Sequence, residues 1–285
     1  MERKPPAVGG ASPGRRRLIV NADDFGRSAS INQAVILAHR EGILSTASLM
    51  VNEPSCAEAV ALARENPGLG VGLHVSLVCG KSALSRKEIP GLVDEAGNFS
   101  ASAPGAGMRF FFDRGVRGQL RAEIAAQFDR FRATGLPLDH VNGHLNLHLH
   151  PTVLALLLER SREWGVRGVR LTCDPIGLNF RLAKGEVFYR LSHGVIFRAL
   201  SAWARGRLRK NGLAHTGRVF GLLQNGRVDV EFVRALLEVL PAGDSELYSH
   251  PSLDEFKHEF EALVSPAIAA QVRRLGIELI RYQDL

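Results

Sequence analysis

The sequence is poor in cysteine. Three occur in 285 residues (Cys56, Cys79 and Cys173), scattered and without a CxxC pair. Such a set supplies neither a disulfide framework nor a zinc-finger ligand pattern, which fits a reducing compartment. The N-terminal stretch has no long apolar run. Residues 1–17 are rich in Pro, Gly, Ala and Arg, and Arg15-Arg16-Arg17 is followed by only Leu18-Ile19-Val20 before the chain turns polar. That is too short for a secretory signal, which needs roughly 7–15 apolar residues, or for a membrane span of about 20. The sequence has no internal repeat, no linker and no basic motif interleaved with aromatics of the kind that binds RNA. These absences argue against a nucleic-acid partner and point to the cytoplasm, with a peripheral position at the inner membrane face left open. Residues 1–16 read as a disordered basic tail, and residues 17–285 as one domain.

What is present is an ordinary globular composition, 45% hydrophobic and 23% charged. A chain of this length can bury a sizeable core without disulfides or structural metals. The formal charge of +7 and the pI near 9.8 come largely from two places. One is the Arg15–Arg17 triplet; the other is Arg198, Arg205, Arg207, Arg209 and Lys210.

From Leu18 onward, short apolar runs alternate with amphipathic stretches. Strands are expected at 18–20, 47–51, 71–77, 138–141, 166–171, 218–223, 246–249 and 277–281. Helices are expected at 29–41, 54–64, 116–134, 151–164, 229–239 and 265–274. Residues 79–114 carry seven Gly and Pro and no clean period, which suggests a functional loop or lid. This alternation predicts an α/β fold: a single-domain, irregular (β/α) barrel of seven or eight units, TIM-barrel-like. Active sites of such barrels collect at the carboxyl ends of the strands. Asp23, Asp24, His74, His144 and His250 all fall at or near such ends.

Each has an ordinary reading beside the functional one. Asp23-Asp24 can cap a helix, or can supply one metal ligand and one proton acceptor. His74, in Gly72-Leu73-His74-Val75, is a core histidine or a ligand. The run His140-Val-Asn-Gly-His144-Leu-Asn-Leu-His148-Leu-His150-Pro151 holds four of the ten histidines. Such density favours metal binding, and an extended chain would put His144, His148 and His150 on one face. His250 follows Glu246-Leu-Tyr-Ser and is a surface histidine or a site residue.

Taken in order, Asn21-Ala-Asp-Asp-Phe-Gly26, Thr46-Ala-Ser-Leu-Met50, Gly72-Leu-His74, the 144–151 block and Glu246…His250-Pro251 resemble the YdjC-like carbohydrate deacetylases. The resemblance covers roughly residues 17–281. The stretches Met108–Phe112, Leu138–His144 and Phe220-Gly221 are most similar to the branch associated with hopanoid biosynthesis. The resemblance implies removal of acetate from an N-acetylglucosaminyl hopanoid, a glycolipid. It also implies a bound divalent cation, Mg2+ or chemically reasonable Zn2+. By motif position the metal ligands are Asp24, His74 and His144, and the general base is Asp23. Many relatives read Asp-Ser-His-x-His-x-His where this chain has Asn142-Gly-His-Leu-Asn146-Leu-His148. A carboxylate that orients a ligand histidine is therefore missing or supplied by Asp139.

His250 is the candidate general acid, with His148 as the alternative. His148, Arg170 and Phe25 are the expected substrate contacts. Residues 194–210, with Val195, Ile196, Leu200, Trp203 and Ala204 on one side and arginines elsewhere, form either a barrel helix or a membrane-facing one. Other functional readings are a soluble N-acetylated chito-oligosaccharide as substrate, a metal-dependent phosphoesterase, and an inactive sugar- or lipid-binding barrel. A homo-oligomer is compatible with the sequence.

Overall fold

The first strand, β1 (Arg16–Phe25), is buried along its last eight residues, as expected of a central parallel strand covered on both faces. The computed structural model describes residues 14–183, 185–224 and 226–285. Residues 1–13 of the expected tail lie outside the described residues, and Arg16 already belongs to β1. The chain continues through α1 (Ala29–Glu41), β2 (Thr46–Leu49), α2 (Cys56–Arg64), β3 (Gly70–Val75), α3 (Ala103–Phe112), α4 (Arg117–Ala133) and β4 (Val141–Gly143). It then runs through a 3₁₀ segment (His144–Leu149), α5 (Pro151–Arg160), α6 (Ile176–Leu182), α7 (Val187–Lys210), β5 (Arg218–Phe220) and α8 (Val230–Glu238). The last elements are β6 (Gly243–Ser249), α9 (Lys257–Val264), α10 (Pro266–Arg274) and β7 (Glu278–Leu279).

All strand pairings are parallel, in the order β4-β3-β2-β1-β6-β5, with β7 beside the start of β1. The sheet curls into a half-barrel within a single α/β domain. The expected strand at 166–171 is present only as isolated bridges, Val141↔Val169 and Gly168↔Ala214. With the Val219 N–H donating to Cys173 O at 3.2 Å, segment 168–173 bonds to both the β4 and the β5 side. It does so without forming a full ladder, so a regular seven- or eight-unit repeat does not develop.

The local chemistry of the helices matches their bounds. The Ser28 side chain accepts from Ile31 N–H at the start of α1, and His39 and Arg40 sit in its last turn, where the helix dipole favours cations. Pro151 opens α5. Residues 79–114 are less irregular than expected, since they contain α3 and antiparallel bridges Lys81↔Asn98 and Val93↔Phe99. The face expected on 194–210 divides. Ala204 is fully buried and Trp203 packs partly against the core, whereas Val195 and Ile196 are exposed.

At Gly42, where α1 ends, a Cβ would press into the backbone oxygen of Leu263 in the last turn of α9. Neither backbone can yield cheaply. Gly42→Ala is expected to cost about 1–3 kcal/mol, lowering Tm by roughly 2–10 °C in a thermal melt. An unchanged Tm would contradict this contact.

Candidate active site

The two aspartates converge because β1 is not a regular strand where they sit. Its register with β2 shifts between Ala22 and Phe25, and Asp24 adopts a left-handed φ of 64°. A bulge of this kind re-aims a side chain, so neighbours that would leave opposite faces both turn toward the mouth of the barrel. His74 arrives near the end of β3, and His144 directly follows β4.

Asp24 is the meeting point. Its Oδ1 lies 3.0 Å from His144 Nδ1 and 3.3 Å from His74 Nε2, while Arg27 donates to Oδ2 at 2.8 Å. One ligand atom from each of Asp24, His74 and His144 falls within 4.8 Å of the others, and all three residues are buried. Burial opposes ionisation of Asp24, but the two imidazoles outweigh it and hold the carboxyl well below its usual range. The donor set fits a divalent cation in its chemistry, two imidazoles and one carboxylate within reach of one point. The His74 Nδ1–H donates to Asn142 Oδ1 at 2.7 Å, so Nε2, which faces Asp24, is the atom His74 would offer an ion. The group orienting His74 is therefore the Asn142 amide. Asp139 does not do this job: it bonds His140 Nδ1 and the backbone N–H groups of Tyr282 and Gln283.

Asp23 is held differently. Its Oδ1 accepts from Asn21, Asn142 and Arg170, and its Oδ2 from Arg170 alone at 2.7 Å. Desolvation pushes this carboxyl up, yet the Arg170 guanidinium beside it prevails and keeps it ionised far below the usual carboxylate range. Oδ2 thus retains a free acceptor position.

His250 lies just past the end of β6, with a side chain 31% exposed. Burial lowers its pKa, but Glu259 and, more weakly, Asp24 and Asp23 raise it to about 9. Glu259 is wholly buried on α9 and also accepts from the backbone N–H groups of His250 and Val228. The sequence reading missed Glu259, because the contact depends on how α9 packs under the strand end and has no local pattern. Arg170 was expected here, on the proposed strand at 166–171.

Several expected site residues take other places. Phe25 has no exposed surface and packs in the core, so it offers nothing to a substrate. Arg170 is likewise fully buried, bonded to Asp23 and Glu246 and 4.2 Å from the Tyr248 ring centroid. Its guanidinium is taken up by these two carboxylates. His148 is buried and donates from Nε2 to Arg170 O at 2.9 Å. Desolvation pushes its pKa down to about 3, so it is neutral at physiological pH and unfit as a general acid. His140 bonds Asp139 and Ser48, and His150 lies near Phe110 and Phe111. Within the histidine block, His144 alone joins the metal cluster. The alternating-face expectation fails because Leu145 and Asn146 are left-handed, at φ 49° and 58°.

Asn142→Ala removes the partner of the His74 Nδ1–H. It is expected to weaken divalent-metal binding by roughly 10–100-fold in isothermal titration. Unchanged affinity would show that His74 is oriented by something else.

A family model described as YdjC-like protein matches residues 17–274. A carbohydrate deacetylase of Geobacillus stearothermophilus is 29% identical over 271 residues, covering 94% of this chain and 98% of that protein. A carbohydrate deacetylase of Brevibacillus brevis is 39% identical over 150 residues, or 53% of this chain and 57% of that protein. Among solved structures, one from Enterococcus faecalis V583 named for cellobiose-phosphate cleavage superposes with a TM-score of 0.73 at 23% identity. It covers 95% of this chain and 99% of its own, a likeness of fold. The match over residues 17–274, nearly the whole chain, shows that this protein belongs to the YdjC-like family.

Proposed function

We propose that this protein is a metal-dependent N-deacetylase acting on an N-acetylated amino sugar. The observation that carries this reading is the placing of three kinds of group on one rim. They are a two-imidazole, one-carboxylate metal cluster, an ionised carboxylate with a free acceptor position, and a histidine charged at neutral pH. That is the complement an amide hydrolysis needs: an electrophile, a proton acceptor and a proton donor for the departing amine. The relatives named carbohydrate deacetylase support the same reaction.

Asp24, His74 and His144 would hold the cation. When bound, it supplies Lewis acidity toward the acetamide oxygen and makes a water more acidic. Two nitrogens and one carboxylate favour Zn2+ over Mg2+, which prefers oxygen ligands. Asp23 Oδ2 takes the proton from the attacking water, held in place by the two-pronged grip of Arg170 on its carboxylate. His250, charged through Glu259, gives a proton to the amine nitrogen as the C–N bond breaks, releasing acetate and a free amino sugar.

For the substrate, the cues at 108–112, 138–144 and 220–221 favour an N-acetylglucosaminyl group on a hopanoid lipid, N-acetylglucosaminyl bacteriohopanetetrol. A second reading, a soluble N-acetylated chito-oligosaccharide, is compatible with the name carbohydrate deacetylase that the relatives carry. Lipid profiling of a deletion strain separates them. Accumulation of the acetylated glycolipid supports the first, and an unchanged profile removes it.

Asp23→Asn is expected to lower kcat by roughly 10²–10⁴-fold while metal content, measured by atomic absorption, is retained. Loss of metal in that variant would reverse the roles of the two aspartates. The charged form of His250 is the competent one, so activity should fall as pH rises through its pKa, which lies near 9 in the metal-free protein. Removing the Glu259 charge destabilises the imidazolium, so Glu259→Gln should move this alkaline limb to lower pH in a kcat/KM profile. An unmoved limb would exclude His250 as the acid.

A further inference from the structure

Apolar exposure is unevenly spread over this protein. Of the thirteen large apolar side chains exposed among the described residues, ten lie on α3, the 3₁₀ segment and the α6–α7 region; the other three are Val239, Leu253 and Leu279. Phe111 and Phe112 project from α3, Leu145 from the turn after the ligand His144, and Phe188, Leu191 and Val195 from the first half of α7. Phe188 is 91% exposed and Phe112 is 69% exposed. Burying either would gain more than a typical core methyl, so folding alone does not account for them.

These side chains surround one place. Both α3 and α7 pack against the 3₁₀ segment that carries His144 and His148. The first half of α7 is seated on α6 and on residues 222–224: Gly194 lies tight against Ile176, and the Tyr189 hydroxyl donates to Leu222 O. Helix α6 follows the inward end of segment 168–173, and residues 222–224 follow β5, so both sit at the carboxyl end of the sheet. The apolar side chains therefore rim the mouth of the candidate site. Charge accompanies them: the exposed Arg109 and Arg114 beside Phe111 and Phe112, and the exposed Arg181 and Arg198 beside the α7 face, outnumber the acids Asp113 and Glu186 there. An exposed apolar rim beside a basic flank fits a surface that enters the headgroup layer of an anionic bilayer. A second copy of the chain is a poor occupant, since a self-complementary contact would set this basic flank against itself. Among the described residues no helix is long and apolar enough to cross a membrane.

We propose that the rim formed by α3, Leu145 and the first half of α7 seats the protein on an anionic lipid surface, with the catalytic mouth facing the headgroups. This places the docking face earlier on α7 than the 194–210 pattern predicts, because Ala204 and Leu208 are spent on the core. The proposal deepens the lipid-linked reading of the substrate and rests on it for its purpose; binding to lipid can be measured without turnover.

The test is flotation of the full chain with phosphatidylcholine vesicles, with and without phosphatidylglycerol. Expected are binding to the anionic vesicles, weakening as salt is raised, and a drop of roughly tenfold or more in partition for the double variant Phe188→Ser, Leu191→Ser. Both side chains are exposed, so the variant should keep the parent Tm and its rate on a soluble N-acetylated chito-oligosaccharide. No vesicle binding by the intact chain would overturn the proposal, as would undiminished binding by the double variant. Sedimentation equilibrium showing a dimer that the variant abolishes would also overturn it, by assigning the face to a second copy. Vesicle binding without acetate release from any amino sugar would support docking and defeat the deacetylase reading, so the two fail separately.

Discussion

One buried cation organises this structure. The Arg170 guanidinium, with no exposed surface, is bound on one side by Asp23 and on the other by Glu246, and lies over the Tyr248 ring. A lone ion in that position would cost several kcal/mol, and removing either partner would leave an uncompensated charge worth about 3–5 kcal/mol. The same residue fastens the loosest part of the sheet. Its backbone N–H donates to Val141 O, and its carbonyl accepts from His148. Segment 168–173 makes only isolated bridges, and this ion network helps fix it between the β4 and β5 sides. Glu246 extends the network to the C-terminus, accepting from the Tyr282 hydroxyl. Holding the barrel together and holding the proposed base are thus one interaction.

A division between the two aspartates follows. They are adjacent in sequence and similarly buried, yet Arg170 engages Asp23 while the imidazoles of His74 and His144 engage Asp24. The bulge that lets both face inward also separates their partners. Environment, and not residue type, sets the two carboxylates apart. His250 is the counterpart across the rim, its charge favoured mainly by Glu259.

Much of this was legible in the sequence, and the exceptions have physical causes. The helices at 29–41, 116–134 and 265–274 were readable to within a residue; Ser28 and Ser265 cap the first and last, whereas α4 has no capping side chain. The cluster of Asp24, His74 and His144 was also legible, through motif order and strand ends. The parity of His144, His148 and His150 misled, because two consecutive left-handed residues cannot be read from Leu145 and Asn146, which adopt that conformation only in this packed context. Arg170 was expected to touch substrate, but whether a charge on that strand faces ligand or carboxylate depends on strand packing. Glu259 was invisible for the same reason: its meeting with His250 is tertiary. The amphipathic pattern at 194–210 was real but pointed at the core over its second half.

The amide at position 142 has one more consequence. A carboxylate bonded to a ligand imidazole would lend that ring negative character and strengthen its hold on an ion. Asn142 orients His74 equally well but carries no charge, so Asp24 is the single anion among the three candidate ligands. A dication seated there would keep a net positive charge instead of being neutralised by its cage. Such an ion withdraws electrons more strongly from whatever oxygen approaches it, and its ligands let it go more readily. The neutral side chain thus exchanges tenacity for electrophilicity.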